Sequence, residues 1–166
     1  MNLKSLRKIA KTTISLCEDA EQNPLTYFRP TPVQEAFLRD QSSRVVMLRG
    51  GNQIGKTMCG SVEVIYRLLG KHPFKRVPPP PIEAWIVCHS WEQSKTIMCK
   101  FHEMMPKNEL HPDIEFVTGK GYRGTGSPVV RLKNGSIVRF KTTQSASGGR
   151  GTISLASGSC DVVWVD

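Results

Sequence analysis

Val45-Val46-Met47-Leu48-Arg49-Gly50-Gly51-Asn52-Gln53-Ile54-Gly55-Lys56-Thr57 joins a short apolar run to a glycine-bracketed turn, and a helical pattern follows. Four consecutive apolar residues fit a strand buried on both faces of a parallel sheet. Residues 50–57 match G-x-x-x-x-G-K-[ST] at every defined position. Gly50 and Gly55 let the backbone turn and come close to an anion without a Cβ in the way. Amides from Gly50, Gly51, Asn52, Gln53, Ile54 and Gly55 are expected to point inward as an anion nest, at the positive end of the following helix. Lys56 adds a charge for β- and γ-phosphates, and the Thr57 hydroxyl is a Mg²⁺ ligand. The pattern therefore predicts ATP and Mg²⁺ as ligands. A chance glycine-rich turn ending in Lys-Thr is the bland alternative, and the strand and helix patterns on either side argue against it.

Downstream, residues 56–69 read as a helix and the four prolines at 78–81 as a stiff connector. Ala84-Trp85-Ile86-Val87-Cys88 is a second buried-strand candidate, after which Ser90 caps a helix bearing Ile97, Met98, Phe101 and Met105. Residues 106–127 look irregular. Apolar and basic residues alternate on either side of Asn134-Gly135, a β-hairpin signal. A Ser/Gly-rich loop covers 144–151, and Val162-Val163-Trp164-Val165 is a third buried-strand candidate ending in Asp166.

Upstream, apolar residues at 3, 6, 9, 10, 14 and 17 predict an amphipathic helix over residues 3–20 that stops at Asn23-Pro24. A loop over 24–31 leads to a helix from Pro32 to about Arg39, capped by Thr31. The series predicts an α/β domain with a mainly parallel sheet, plus an N-terminal helical segment and a β-hairpin. The division is 1–24 for the helix and 25–166 for the nucleotide-binding part.

A phosphate loop needs a carboxylate at the end of a neighbouring strand. Asp166 meets that need and is expected to hold Mg²⁺ opposite Thr57. Asp161 is expected to mark the strand's start.

Lys plus Arg number 23 against 14 Asp plus Glu, a net +9. Such an excess favours polyanions, since basic side chains displace counterions from phosphates. A merely solvated surface is equally compatible with it. No apolar run approaches the roughly 18–20 residues that span a bilayer, so no membrane association is expected. No signal peptide is visible. The odd count of five scattered cysteines suits free thiols and a cytoplasmic setting. Gly119-Lys-Gly121-Tyr-Arg-Gly124 fits G-x-G-x-x-G, but no helix pattern follows it. Cys88, His89, Cys99 and His102 lack zinc-finger spacing.

The arrangement resembles the ATPase domain of phage terminase large subunits, the motors that package DNA into proheads. Phe28-Arg29-Pro30-Thr31-Pro32-Val33-Gln34 looks like the family's adenine-binding segment, and the Gly-Gly-Asn-Gln opening at 50–53 is similar to its phosphate loop. Residues 131–140 look like its hairpin before the acidic strand, and residues 161–166 resemble the start of its acidic motif. The resemblance spans roughly residues 27–166.

It implies that Gln34 contacts the adenine edge, although Thr31-Pro-Val-Gln34 is equally a local capping box. It implies an arginine finger on the γ-phosphoryl. Arg150 is the preferred candidate for that catalytic role beside Lys56; Arg49 is the other. It implies double-stranded DNA, a portal protein, a small terminase subunit and a homo-oligomeric ring as partners. In the family a catalytic Glu follows the acidic-strand Asp, and a C-terminal nuclease comes later. Asp166 is the last residue of the sequence, so the chain is expected to correspond to the N-terminal part of such a protein. Its ATP turnover is left open. Another phosphate-loop ATPase, such as a helicase, and a nucleotide- or DNA-binding module without turnover are the alternatives.

Overall fold

A computed structural model describes residues 3–51, 53–123, 128–143 and 159–166. Asn52, Arg150 and the Ser/Gly-rich loop expected over 144–151 fall outside them. The described part is α/β, with a mixed, mostly parallel four-stranded sheet and helices.

Helix α1 (Leu3–Gln22) runs two residues past its expected end. A one-turn helix α2 (Pro24–Tyr27) replaces the expected loop, with proline at its first position, where no N–H is missed. Helix α3 (Pro32–Arg39) has the bounds expected of it. Its capping box is complete: Gln34 N donates to Thr31 Oγ1 (3.4 Å) and Thr31 N to Gln34 Oε1 (2.9 Å). Helix α4 (Lys56–Leu69) begins after Gly55 and ends at Gly70, both left-handed.

Strand β1 (Glu83–Cys88) lies at the centre of the sheet. Helix α5 (Trp91–Met104) follows it, capped by Ser90 Oγ accepting from Gln93 N. A 3-10 turn (Lys107–Glu109) and a small hairpin of β2 (Phe116–Val117) and β3 (Gly121–Tyr122) give structure to a stretch expected to be irregular. The first glycines of the G-x-G-x-x-G match belong to this hairpin: Gly119 lies in its turn and Gly121 opens β3, both with positive φ.

Strands β4 (Val129–Arg131) and β5 (Ile137–Thr142) form the antiparallel hairpin expected around Asn134-Gly135. The hairpin belongs to the main sheet, where β5 pairs parallel with β1 (Ile86 opposite Phe140). Its tip is fixed to the end of α4: Asn134 Nδ2 and Ser136 Oγ both donate to Leu68 O at 2.8 Å. Strand β6 (Val162–Val165) pairs parallel with the other side of β1, giving the order β4-β5-β1-β6.

One sheet face carries Ala84, Ile86, Cys88, Val138 and Phe140. It packs on Val62, Ile65, Ile97 and Phe101 of α4 and α5 to form the core.

Two expectations about strands fail. Residues 45–48 belong to no strand; Val45 is 81% and Met47 69% exposed. Both edges of β1 are taken by β5 and β6, and an apolar run alone does not report pairing. Strand β6 is formed, but it lies at the sheet edge instead of inside. Trp164 faces the core while Val163 and Val165 face outward and are exposed.

Candidate nucleotide site

The loop at 50–57 meets β6 through close packing of α4 on the sheet. Gly60 lies against Trp164: a Cβ on Gly60 would fall 2.5 Å from the indole. With hydrogen there instead, the first turn of α4 comes down onto the end of β6. Thr57 Oγ1 then lies 3.4 Å from Asp166 Oδ1, across 109 residues of sequence. The expected meeting of these two side chains is present. Asp161 begins the strand as expected, its Oδ2 accepting from Glu83 N at 2.8 Å.

Gly55 takes φ +78°, and a Cβ there would meet the Gln34 amide at 2.6 Å. Gln34 is buried and spends its amide locally. Its Nε2 donates to Ile54 O (3.2 Å) and Gly55 O (3.3 Å), while Oε1 accepts from Thr31 N. The capping box expected at Thr31 and Gln34 is formed. The side chain braces the loop from α3.

The interior of the turn differs from the expected anion nest. Lys56 Nζ donates to Gly50 O (3.0 Å) and Gly51 O (2.7 Å), so two carbonyls face the ammonium. The loop is closed on its own lysine, and an incoming phosphate would have to take the place of those carbonyls. Gln53 has φ +67°, which a non-glycine residue adopts at some cost. Ile54 is exposed, and Arg49 Nε points back to Met47 Sδ.

Gln93 has a role that sequence reasoning missed. Its Nε2 donates to Asp166 O and Oδ2, both at 3.2 Å, and its Oε1 accepts from His89 N at 3.0 Å. Ser90-x-x-Gln93 has the spacing of a capping box, which draws attention to Gln93 but not to the distant aspartate it reaches. Gly60 was open to notice as a glycine inside a helix pattern, where a packing reason is usual.

The basic hairpin offers fewer free cations than its sequence suggests. Lys141 is 2% exposed, with Nζ 3.2 Å from the centre of the Trp85 ring, and Arg139 Nε pairs with Glu83 at 2.7 Å. Arg131 and Lys133 remain exposed.

Thr57 Oγ1 and the Asp166 carboxylate are hard oxygen donors of the type Mg²⁺ takes. Among the described residues no helix is long and apolar enough to cross a membrane. Comparison of the chain with protein-family models, with curated proteins and with solved structures finds no match.

Proposed function

We propose that this chain binds ATP through residues 50–57. On this reading, it is the nucleotide-binding part of a viral DNA-packaging terminase large subunit, a phosphate-loop ATPase. The observation that carries the reading is the 3.4 Å approach of Thr57 Oγ1 to Asp166 Oδ1 at the mouth of a glycine-bracketed turn. A threonine hydroxyl and a carboxylate so arranged at a helix N-terminus suit a metal-bound triphosphate. Thr57 and Asp166 would hold the Mg²⁺, which when bound neutralises phosphate charge. Lys56 would exchange the Gly50 and Gly51 carbonyls for phosphate oxygens. Gln34 would keep the loop's far side fixed. Arg150 remains the proposed arginine finger.

Coupling of ATP hydrolysis to DNA movement, with portal, small subunit and a ring of copies as partners, is the activity that the family resemblance implies for the whole protein. The order of the adenine-segment, phosphate-loop, hairpin and acidic-strand sequences favours a terminase over a helicase. The test is a fluorescent-nucleotide titration. Lys56→Ala should weaken binding by about 10- to 100-fold, the effect of losing charge-assisted hydrogen bonds worth ~1.5–3 kcal/mol. Unchanged affinity removes the assignment.

A further inference from the structure

Helix α1 carries its charges the wrong way round for a helix standing alone. Lys4, Arg7, Lys8 and Lys11 fall in its first half, and Glu18, Asp19 and Glu21 in its second. A helix N-terminus is partially positive and its C-terminus partially negative, so each end repels its own side chains. The four cations are also mutual neighbours at spacings of three and four, where like charges destabilise. Among the described residues, none of the four forms an ion pair, nor does Glu18 or Glu21.

The same helix presents an apolar stripe that nothing among the described residues covers. Leu3, Leu6, Ile9, Ala10, Ile14 and Cys17 recur at helical spacing, and no residue of α1 is buried. Its last turn alone, at Ala20, Glu21 and Gln22, shares a groove with His102, Glu103 and Lys107.

We propose that α1 pairs antiparallel with α1 of a second copy of this chain. Antiparallel pairing sets Leu6 opposite Cys17 and Ile9 opposite Ile14, covering both stripes. It also brings Lys4, Arg7 and Lys8 alongside Glu18, Asp19 and Glu21 of the other copy. Each N-terminus then lies beside a C-terminus, so the dipole conflict at both ends is relieved by the same contact. An anionic membrane or duplex DNA would take the basic half and repel the acidic half, so neither accounts for the whole helix. A second copy does.

Sedimentation equilibrium of the full chain over about 1–100 µM, the range where a modest helix pair dissociates, is the test. The wild type should dimerise at 0.1 M salt. It should weaken at 1 M, where the screening length falls from about 10 to 3 Å. Arg7→Glu/Lys8→Glu and Glu18→Lys/Glu21→Lys should each stay monomeric with unchanged circular dichroism, and their equimolar mixture should recover the dimer. Leu6→Cys should give a disulfide-linked dimer on mild oxidation through native Cys17, and Leu6→Cys/Cys17→Ser should not. A wild type that stays monomeric throughout overturns the proposal. So does dimerisation that ignores both charge reversals, cross-linking that survives Cys17→Ser, or flotation with anionic vesicles in place of self-association.

Discussion

Gln93 Nε2 holds both the main-chain oxygen and the Oδ2 of Asp166 at 3.2 Å, while its Oε1 accepts from His89 N. One amide thus ties the end of β1 to the end of β6, leaving Asp166 Oδ1 toward Thr57. Gln93 is a positioning residue for the proposed cation ligand.

Gln93→Leu is therefore expected to leave nucleotide affinity without metal unchanged. It should lower affinity for Mn²⁺ in the ternary complex by about 5- to 30-fold, the loss of ~1–2 kcal/mol of hydrogen bonding. Mn²⁺ paramagnetic resonance measures it directly. An equal loss with and without metal would point to general disruption instead.

The contact between Gly60 and Trp164 sets how near α4 comes to β6. Gly60→Val should destabilise the fold by ~1–3 kcal/mol through overpacking. Gly60→Val/Trp164→Leu should recover part of that loss. Urea denaturation of both variants measures the coupling, and additive effects would mean the contact does not set the spacing.

Much of this architecture was legible locally. The Thr31/Gln34 capping box, the Ser90 cap and the Asn134-Gly135 turn each rest on residues within a few positions of one another, where side-chain chemistry determines the outcome. Pairing was not legible in the same way. Residues 45–48 and 162–165 have the same apolar texture, yet only the second finds a ladder, and that at an edge. The partners of Gln93 and Gly60 lie 73 and about 100 residues away, beyond any local pattern. Lys141 belongs to the alternating basic residues of the hairpin, but its ammonium is taken up locally because β5 pairs with β1 and brings it over Trp85.

Acid should weaken the fold in two windows. Burial pushes the Glu63 carboxyl up, but hydrogen bonds from His72, Lys75 and Arg67 outweigh it and hold the pKa at about 2, below its ordinary 4.5. A depressed carboxylate stabilises the fold above its unfolded pKa, so about 3 kcal/mol should be lost as pH falls from about 4.5 to 2. His102 stacks on Phe116 with ring centres 3.8 Å apart, and burial beside Lys107 lowers its pKa from 6.5 to about 4. The unfolded chain binds that proton first, so stability should already decline between about pH 6.5 and 4. Denaturation midpoints from pH 7 to 2 measure both windows. His102→Phe should flatten the upper one and Glu63→Gln the lower.

Duplex DNA binding, proposed from the terminase resemblance, should depend on the exposed hairpin cations. Arg131→Ala/Lys133→Ala should weaken binding and reduce the salt slope by about 1–2, roughly one unit for each phosphate that is no longer neutralised. Lys141→Met should cause little change in DNA affinity, because Lys141 lies against Trp85. Fluorescence anisotropy across a salt series distinguishes the two. A larger effect from Lys141 would contradict the placement.

Calorimetric titration of the chain with ATP, with and without Mg²⁺, against Thr57→Val and Asp166→Asn is the most direct measurement. Wild-type affinity is expected to rise on adding Mg²⁺, and either substitution to remove that rise. Absence of binding by the wild type, or a Mg²⁺ effect that survives both substitutions, would contradict a triphosphate held between residues 50–57 and the end of β6.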